Sequence, residues 1–386
     1  MKNQLLIKNC RLYQSPEDKF VDVYIENSTI TKIQKLNDLP ENLHILDAKG
    51  RIIVPGFIDV HIQGAGGSDI LDGTAEAIQT ISRTLARFGT TSFLGTTVVH
   101  SDKENHHIEL AAENTGKILE GAHLLGLHLE GPFINPEKRG GISPKSIYNP
   151  STKALEDVLK LTGDSLKMMT IAPEINGNLE IIRRLADYGI IASFGHSGAS
   201  YGETRIGFKA GISHVTHLFN AMPSLHHREP GPLLAIFESE NVTTQVISDG
   251  VHLHRGIIKL IHQLLGNDRI VCITDGVQAI GLPEGEYIYN DREYRSKNGT
   301  ARYLDGTLIG TAISLDQIWV KFMNFTGCSL KTAVHTVTRN PARLLRIEDR
   351  KGSIEVGKDA DLVILNPDYS VWATIIGGGI VYRNSD

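Results

Sequence analysis

The chain has 386 residues, and 39 Lys and Arg against 44 Asp and Glu give it a formal net charge of −5. That length exceeds one small domain and suits a barrel with an accessory domain, while an acidic balance without any basic tract excludes general attraction to nucleic acid or to a membrane surface. The cysteines, Cys10, Cys272 and Cys328, are far apart and odd in number, which predicts a reducing cytosol and no disulfide framework.

Residues 1 to 54 read as short strands separated by turns. LLIKNCRLY, FVDVYIENSTITKIQ and HILDAKGRIIVPG alternate with period two and are rich in β-branched residues. The N-terminal MKNQLLIKNCRLYQ carries charges where a signal peptide has an apolar core, and no run approaches a membrane span. The other end, GSIEVGKDADLVILNPDYSVWATIIGGGIVYRN, has the same β-rich character. The two ends, 1–54 and 352–386, are therefore expected to pair into one small β-sandwich beside a central domain spanning 55–351.

The central domain repeats a strand followed by a helix. Strand candidates end near VPGFIDVHIQ, TTSFLGTTVV, LLGLHLEG, MMTIAPE, IIASFGHS, SHVTHLF, TTQVISDG and RIVCITDG. Helical patterns such as TAEAIQTISRTLARFG, HHIELAAENTGKILEG, NLEIIRRLADYG and GETRIGFKAG lie between them, several stopped by glycine. Eight such repeats predict an α/β fold, a TIM-type (β/α)8 barrel with its chemistry at the C-terminal strand ends. Those ends carry His61, Glu130, Glu174, His196, His217, Asp249 and Asp275.

The stretch IIASFGHSGASYGETRIGFKAGISHVTHLFNAMP organises the rest, because two β-prone runs within it end in a histidine, His196 and His217. Imidazoles at neighbouring strand ends can share one ion, since adjacent strands lie only about 4.8 Å apart. With Glu130 they form a set of two nitrogens and one carboxylate, suited to Zn²⁺ or to Fe²⁺, Mn²⁺, Co²⁺ or Ni²⁺, and leave a position open for water or substrate. Asp275 is not needed to complete that set and is the candidate base. The plainer readings are a satisfied polar histidine at a rim and an Asp-Gly turn at 275–276. His106, His107, His226 and His227 lie in polar stretches and are expected to be exposed, while His100, His128 and His214 read as buried or supporting.

Taken together, PGFIDVHIQGAGG, HLEGPFINP, FGHS, THLFNAM with REPG, ISDGVH, ITDG, and LIG followed by NPARLL and GSIEVGKDADLVIL resemble the N-acetylglucosamine-6-phosphate deacetylase family of the amidohydrolase superfamily. The resemblance covers essentially the whole chain. It implies a cytoplasmic, metal-dependent hydrolase of a linear amide C–N bond in amino-sugar metabolism, with Glu130, His196 and His217 on the metal and Asp275 as general base and acid. It further implies substrate contacts at Gly141, Asn220, Ala221, His252, Leu308, Ile309 and Gly310, and a homodimer in which Arg228 reaches the neighbouring site, where its planar fork suits a phosphate.

Two departures stand out. Many relatives have H-x-H at the first strand, whereas this chain has His61-Ile62-Gln63, and the strand ending at Ala172-Pro173-Glu174 lacks the lysine that bridges two metals in many amidohydrolases. One metal per subunit is therefore expected, with His61 a water or second-site contact and Glu174 solvated or in a rim salt bridge in preference to completing another site. The family also commonly carries a histidine where this chain has Ile142, in RGGISP, which leaves the acyl group open. The alternatives are the galacto epimer or another N-acyl amino sugar, a two-metal hydrolase of cyclic amides, and a non-catalytic relative kept as a binding module.

Overall fold

The computed structural model describes residues 4–16, 18–35 and 43–385; the remaining positions, including the extreme ends of the 1–54 and 352–386 segments, lie outside the described residues. Eight parallel strands line up in chain order: Phe57–Ile62 (β1), Thr90–Thr97 (β2), His123–Leu129 (β3), Leu166–Ile171 (β4), Ile191–Phe194 (β5), His214–Val215 (β6), Thr243–Val246 (β7) and Ile270–Cys272 (β8). β1 and β8 share no ladder. The seam between them is closed by a parallel bridge from Ile62 to Gly276 and by hydrogen bonds that the Asp275 N–H donates to the His61 carbonyl and the Gln63 N–H to the Gly276 carbonyl. The barrel thus closes at the residues that carry its chemistry.

The barrel strands read as apolar runs because both faces are covered, one by the outer helices and one by the interior. That interior has a polar layer. Buried His128 shares a hydrogen bond with Thr170 at 2.8 Å, Thr170 with Thr216 at 2.8 Å, and Ser193 with Thr216 at 2.6 Å. Around it lie helices that start and stop where the sequence indicates. Ala75–Arg87 is capped by Thr74, and Tyr201–Ala210 begins with a Ser200–Glu203 capping box and ends at Gly211. The helix expected over 106–121 is shorter, His106–Asn114. Asn114 and Thr115 turn their side chains back onto the Leu110 and Ala111 carbonyls, and the Gly116 N–H donates to Leu124, so the chain leaves the helix toward β3.

Strands from the two chain ends meet in one sheet, as Leu362–Leu365 pairs antiparallel with Ile52–Pro55. Its order runs Gly379–Arg383, Val371–Ile376, Leu362–Leu365, Ile52–Pro55, Gln4–Leu12, Val21–Glu26, Thr29–Ile33, with His44–Asp47 parallel to Gln4–Leu12. Gln4–Leu12 is irregular between Ile7 and Cys10, so its first half pairs with His44–Asp47 and its end with Ile52–Pro55.

A third sheet has no counterpart in the sequence reading. Between β8 and the helix Leu315–Thr326 the chain folds into four antiparallel strands, Gly285–Tyr289, Arg292–Lys297, Thr300–Tyr303 and Leu308–Thr311. The last of them returns beside Asp275, where the Thr311 N–H donates to the Asp275 carbonyl at 2.9 Å. Gly310 makes that approach possible. Its φ is +143°, and a Cβ there would stand 2.3 Å from the Asp275 carbonyl oxygen. Among the described residues no helix is long and apolar enough to cross a membrane.

Candidate functional site

Three of the residues singled out at strand ends, His196, His217 and Asp275, have left-handed backbone, with φ of 48°, 26° and 49°. Such conformations cost roughly 1–3 kcal/mol each away from glycine and persist where the surroundings impose them. Here they turn the three side chains inward over the barrel mouth. Glu130, directly after β3, joins them, and all are buried.

Glu130, His196 and His217 form a tight triangle. Glu130 Oε1 lies 3.1 Å from Nε2 of each histidine, and the two Nε2 atoms are 3.0 Å apart. The His196 tautomer follows from its other nitrogen, which donates to the Lys138 carbonyl at 2.8 Å. In the neutral ring Nε2 therefore turns a lone pair toward a carboxylate oxygen and a second imidazole nitrogen. Lone pairs gathered in a buried space call for a cation, and an ion with bonds of roughly 2.0–2.1 Å suits a triangle of this size. The donor set fits a divalent metal. Among the described residues, this is the group of His, Cys, Asp or Glu with such spacing.

His61 is fully buried beside the triangle, its Nε2 3.2 Å from Asp275 Oδ1 and 3.5 Å from Glu130 Oε1. Gln245 fixes its ring. Gln245 Oε1 accepts the His217 backbone N–H at 3.3 Å and faces His61 Nδ1 at 2.9 Å, so Nδ1 is the donor and Nε2 points to the carboxylates. Burial works against charge on His61, but Asp275 and Glu130 hold its pKa well above the ordinary value. Burial likewise pushes Asp275 up, and His61 more than offsets it, bringing the carboxyl to about 2. For Glu130, burial is outweighed by His61 and the other two histidines, leaving it well below the usual range. Both carboxylates are acceptors near neutral pH. Gln63 donates its amide to Asp275 Oδ1 at 2.9 Å, so the residue that replaces the second histidine of H-x-H fixes the aspartate.

These groups form the floor of a cavity of about 390 Å³. Gly141, Asn220, Ala221, His252, Leu308, Ile309 and Gly310 line it, as do Gln63, Glu130, His196, His217 and Asp275. His252 is set by Asp249, whose Oδ2 lies 2.7 Å from Nδ1 and whose Oδ1 accepts the Val251 and His252 N–H groups. The Asn220 N–H donates to the His217 carbonyl, while Ala221, with φ of 52°, makes no such bond through its N–H among the described residues. Arg228 is exposed, outside its own cavity, with Nη1 2.8 Å from His227 Nε2.

Two expectations are overturned. Glu174 makes no salt bridge among the described residues and is not merely solvated; it clamps the turn after His196, accepting from Asn135 at 2.9 Å, Ser197 at 2.7 Å and Gly198 at 2.5 Å. His107 is buried instead of exposed, because its helix turns that face inward and its Nε2 reaches the Val98 carbonyl at 3.0 Å. Sequence reasoning also missed Gln245, Lys138 and the cavity-lining Tyr289 and Asn290. Only the last pair carried a usable signal, an Asn-Asp turn between alternating strands at 285–297.

Residues 52–381 match the amidohydrolase family. The chain is 39% identical over 343 residues to N-acetylglucosamine-6-phosphate deacetylase of Bacillus subtilis (strain 168), covering 87% of this chain and 86% of that one. It is 31% identical over 340 residues to N-acetylgalactosamine-6-phosphate deacetylase of Escherichia coli O157:H7, covering 88% and 90%. Among solved structures, N-acetylglucosamine-6-phosphate deacetylase of Thermotoga maritima superposes with a TM-score of 0.84 at 34% identity, over 98% of this chain and 100% of that one. With a metal-fitting triangle at the mouth of the barrel, these likenesses establish that the chain belongs to the amidohydrolase family, alongside its N-acetylglucosamine-6-phosphate deacetylases.

Proposed function

We propose that this chain hydrolyses N-acetyl-D-glucosamine 6-phosphate to D-glucosamine 6-phosphate and acetate. The observation that carries the reading is the triangle of Glu130, His196 and His217 with Asp275 beside it, on the floor of a cavity sized for a small polar molecule. We take the barrel as 55–351 and the accessory domain as 1–54 with 352–386, in a cytoplasmic homodimer.

Glu130, His196 and His217 would hold one divalent ion per subunit, Zn²⁺ by ligand chemistry, which would supply Lewis acidity toward water and the amide carbonyl. Asp275 accepts the proton of the attacking water, in an orientation fixed by the Gln63 amide. It then returns that proton to the amide nitrogen as the C–N bond breaks, so acetate and the free amine leave together. Since Gln63 spends its amide on Asp275, it supports one metal, with His61 a contact to water.

His252, held by Asp249, presents Nε2 to the sugar hydroxyls, and Leu308, Ile309 and Gly310 with Gly141 close over the ring. The phosphate rests on the N–H groups of Ala221 and Asn220, the latter shared with His217, and on Arg228 of the partner subunit. Exposure of Arg228 away from its own cavity supports the role in trans. Arg228→Ala is expected to raise KM for the phosphorylated sugar by at least about tenfold while leaving kcat within about threefold, and to leave the unphosphorylated sugar unaffected. Equal effects on both sugars in steady-state kinetics would remove arginine from the phosphate site. The galacto epimer is the second reading, supported by the likeness to the E. coli enzyme.

A further inference from the structure

None of the side chains assigned a role so far donates a hydrogen bond at the acyl end of the cavity. Addition of water to an amide carbonyl places negative charge on its oxygen, and a donor waiting there lowers the barrier. Most neutral donors in the cavity are already engaged. Gln63 donates to Asp275, and Asn220 donates its side-chain amide to the His217 and Leu218 carbonyls. In the loop after Lys138 the side chain at 142 is apolar, since Ile142 is 7% exposed and packs with Val98 and Ile134.

The four-stranded sheet faces that loop. A Cβ built on Gly141 would lie 2.8 Å from Ile309 Cγ2 and 3.5 Å from Tyr303 Cε2, so the sheet and the loop are in contact. Tyr289, on the inward face of the sheet, packs in the cluster that contains Tyr303 and opens into the cavity shared by Glu130, Asp275 and Ile142. Among the described residues no other one lining that cavity bears a hydroxyl, and Tyr289 forms no hydrogen bond through its own to any of them. Burial, reinforced by Asp69 and then Glu130, holds the phenol pKa well above its ordinary value, so the proton stays on the oxygen.

We propose that the Tyr289 hydroxyl is a catalytic hydrogen-bond donor to the acyl carbonyl oxygen of the substrate, in the cavity that Ile142 also lines. It keeps its proton throughout and acts on the charge that develops on the oxygen. The inference rests on the deacetylase reading.

Tyr289→Phe removes one oxygen and leaves the ring in its packing. With N-acetyl-D-glucosamine 6-phosphate, kcat is expected to fall on the order of 100-fold, with KM within about twofold and the metal content of the purified protein unchanged. With the N-trifluoroacetyl analogue, whose fluorines already stabilise the charged oxygen, the loss is expected to shrink. A kcat within about threefold of the unmodified enzyme overturns the proposal, as does a rise in KM alone, which would put the hydroxyl on the sugar. So does a loss of bound metal, or an equal loss on both substrates, since either makes the residue structural. Absence of turnover by the unmodified, metal-loaded enzyme would overturn the deacetylase reading and this inference together, whereas an active enzyme with an unaffected variant overturns this inference alone.

Discussion

Asp275→Asn is expected to lower kcat by roughly 10²–10⁴-fold while substrate affinity and metal content stay close to those of the unmodified protein. The expectation follows from what the carboxylate touches. It accepts the Gln63 amide at 2.9 Å and lies 3.2 Å from His61, and neither group belongs to the metal-fitting triangle. An asparagine side chain has the same shape and can still accept from Gln63 through its amide oxygen, so the pocket is preserved. What disappears is a group that can take a proton and give it back. Calorimetric binding of the substrate, steady-state rates and metal analysis on one preparation decide the matter, and near-normal turnover would remove Asp275 from proton transfer.

Glu130→Ala acts on the other half of the chemistry. Glu130 Oε1 lies close to His61, His196 and His217 together, at 3.5, 3.1 and 3.1 Å. Without it His196 and His217 face each other with no carboxylate between them, and the negative charge that remains, on Asp275, sits against His61. Metal affinity is expected to fall by more than the roughly 10–100-fold typical of losing an outer hydrogen-bond partner, and turnover with it. Metal retention measured by elemental analysis after dialysis checks this. A variant that keeps its metal would place the ion elsewhere.

Both predictions concern residues legible in the sequence, and the reason is physical. Barrel strands covered on both faces appear as apolar runs, and the polar residue that ends each run, such as Glu130 in LHLEG or His196 in SFGHS, falls on the rim by position alone. Pairing of the two chain ends was legible for a similar reason, since their period-two stretches need a partner sheet. The supporting groups were not. Gln245 lies inside β7, where nothing in its neighbours marks a side chain that touches both His61 and His217. Lys138 serves His196 through its carbonyl, which no side-chain pattern reveals. His107 looked exposed because His106 and Glu109 beside it are, yet one step around the helix faces inward.

The four-stranded insertion was missed for a different reason. Its turn signals, Asn290-Asp291 and Asn298-Gly299, are strong hairpin markers, but they fall after the eighth strand, where the barrel repeat is already complete. Only the folded chain brings its inward face against Gly141 and sets Tyr289 into the same cavity as Asp275.

Everything assigned to this site serves metal-centred removal of the acetyl group from a phosphorylated amino sugar. Its most direct test is acetate release by the metal-analysed protein from N-acetyl-D-glucosamine 6-phosphate, with the galacto epimer and the unphosphorylated sugar in parallel. Efficient turnover of the gluco compound is expected, at least about tenfold better in kcat/KM than the unphosphorylated sugar, abolished by chelation and restored by divalent metal. No acetate from any of the three with metal-loaded protein would contradict it.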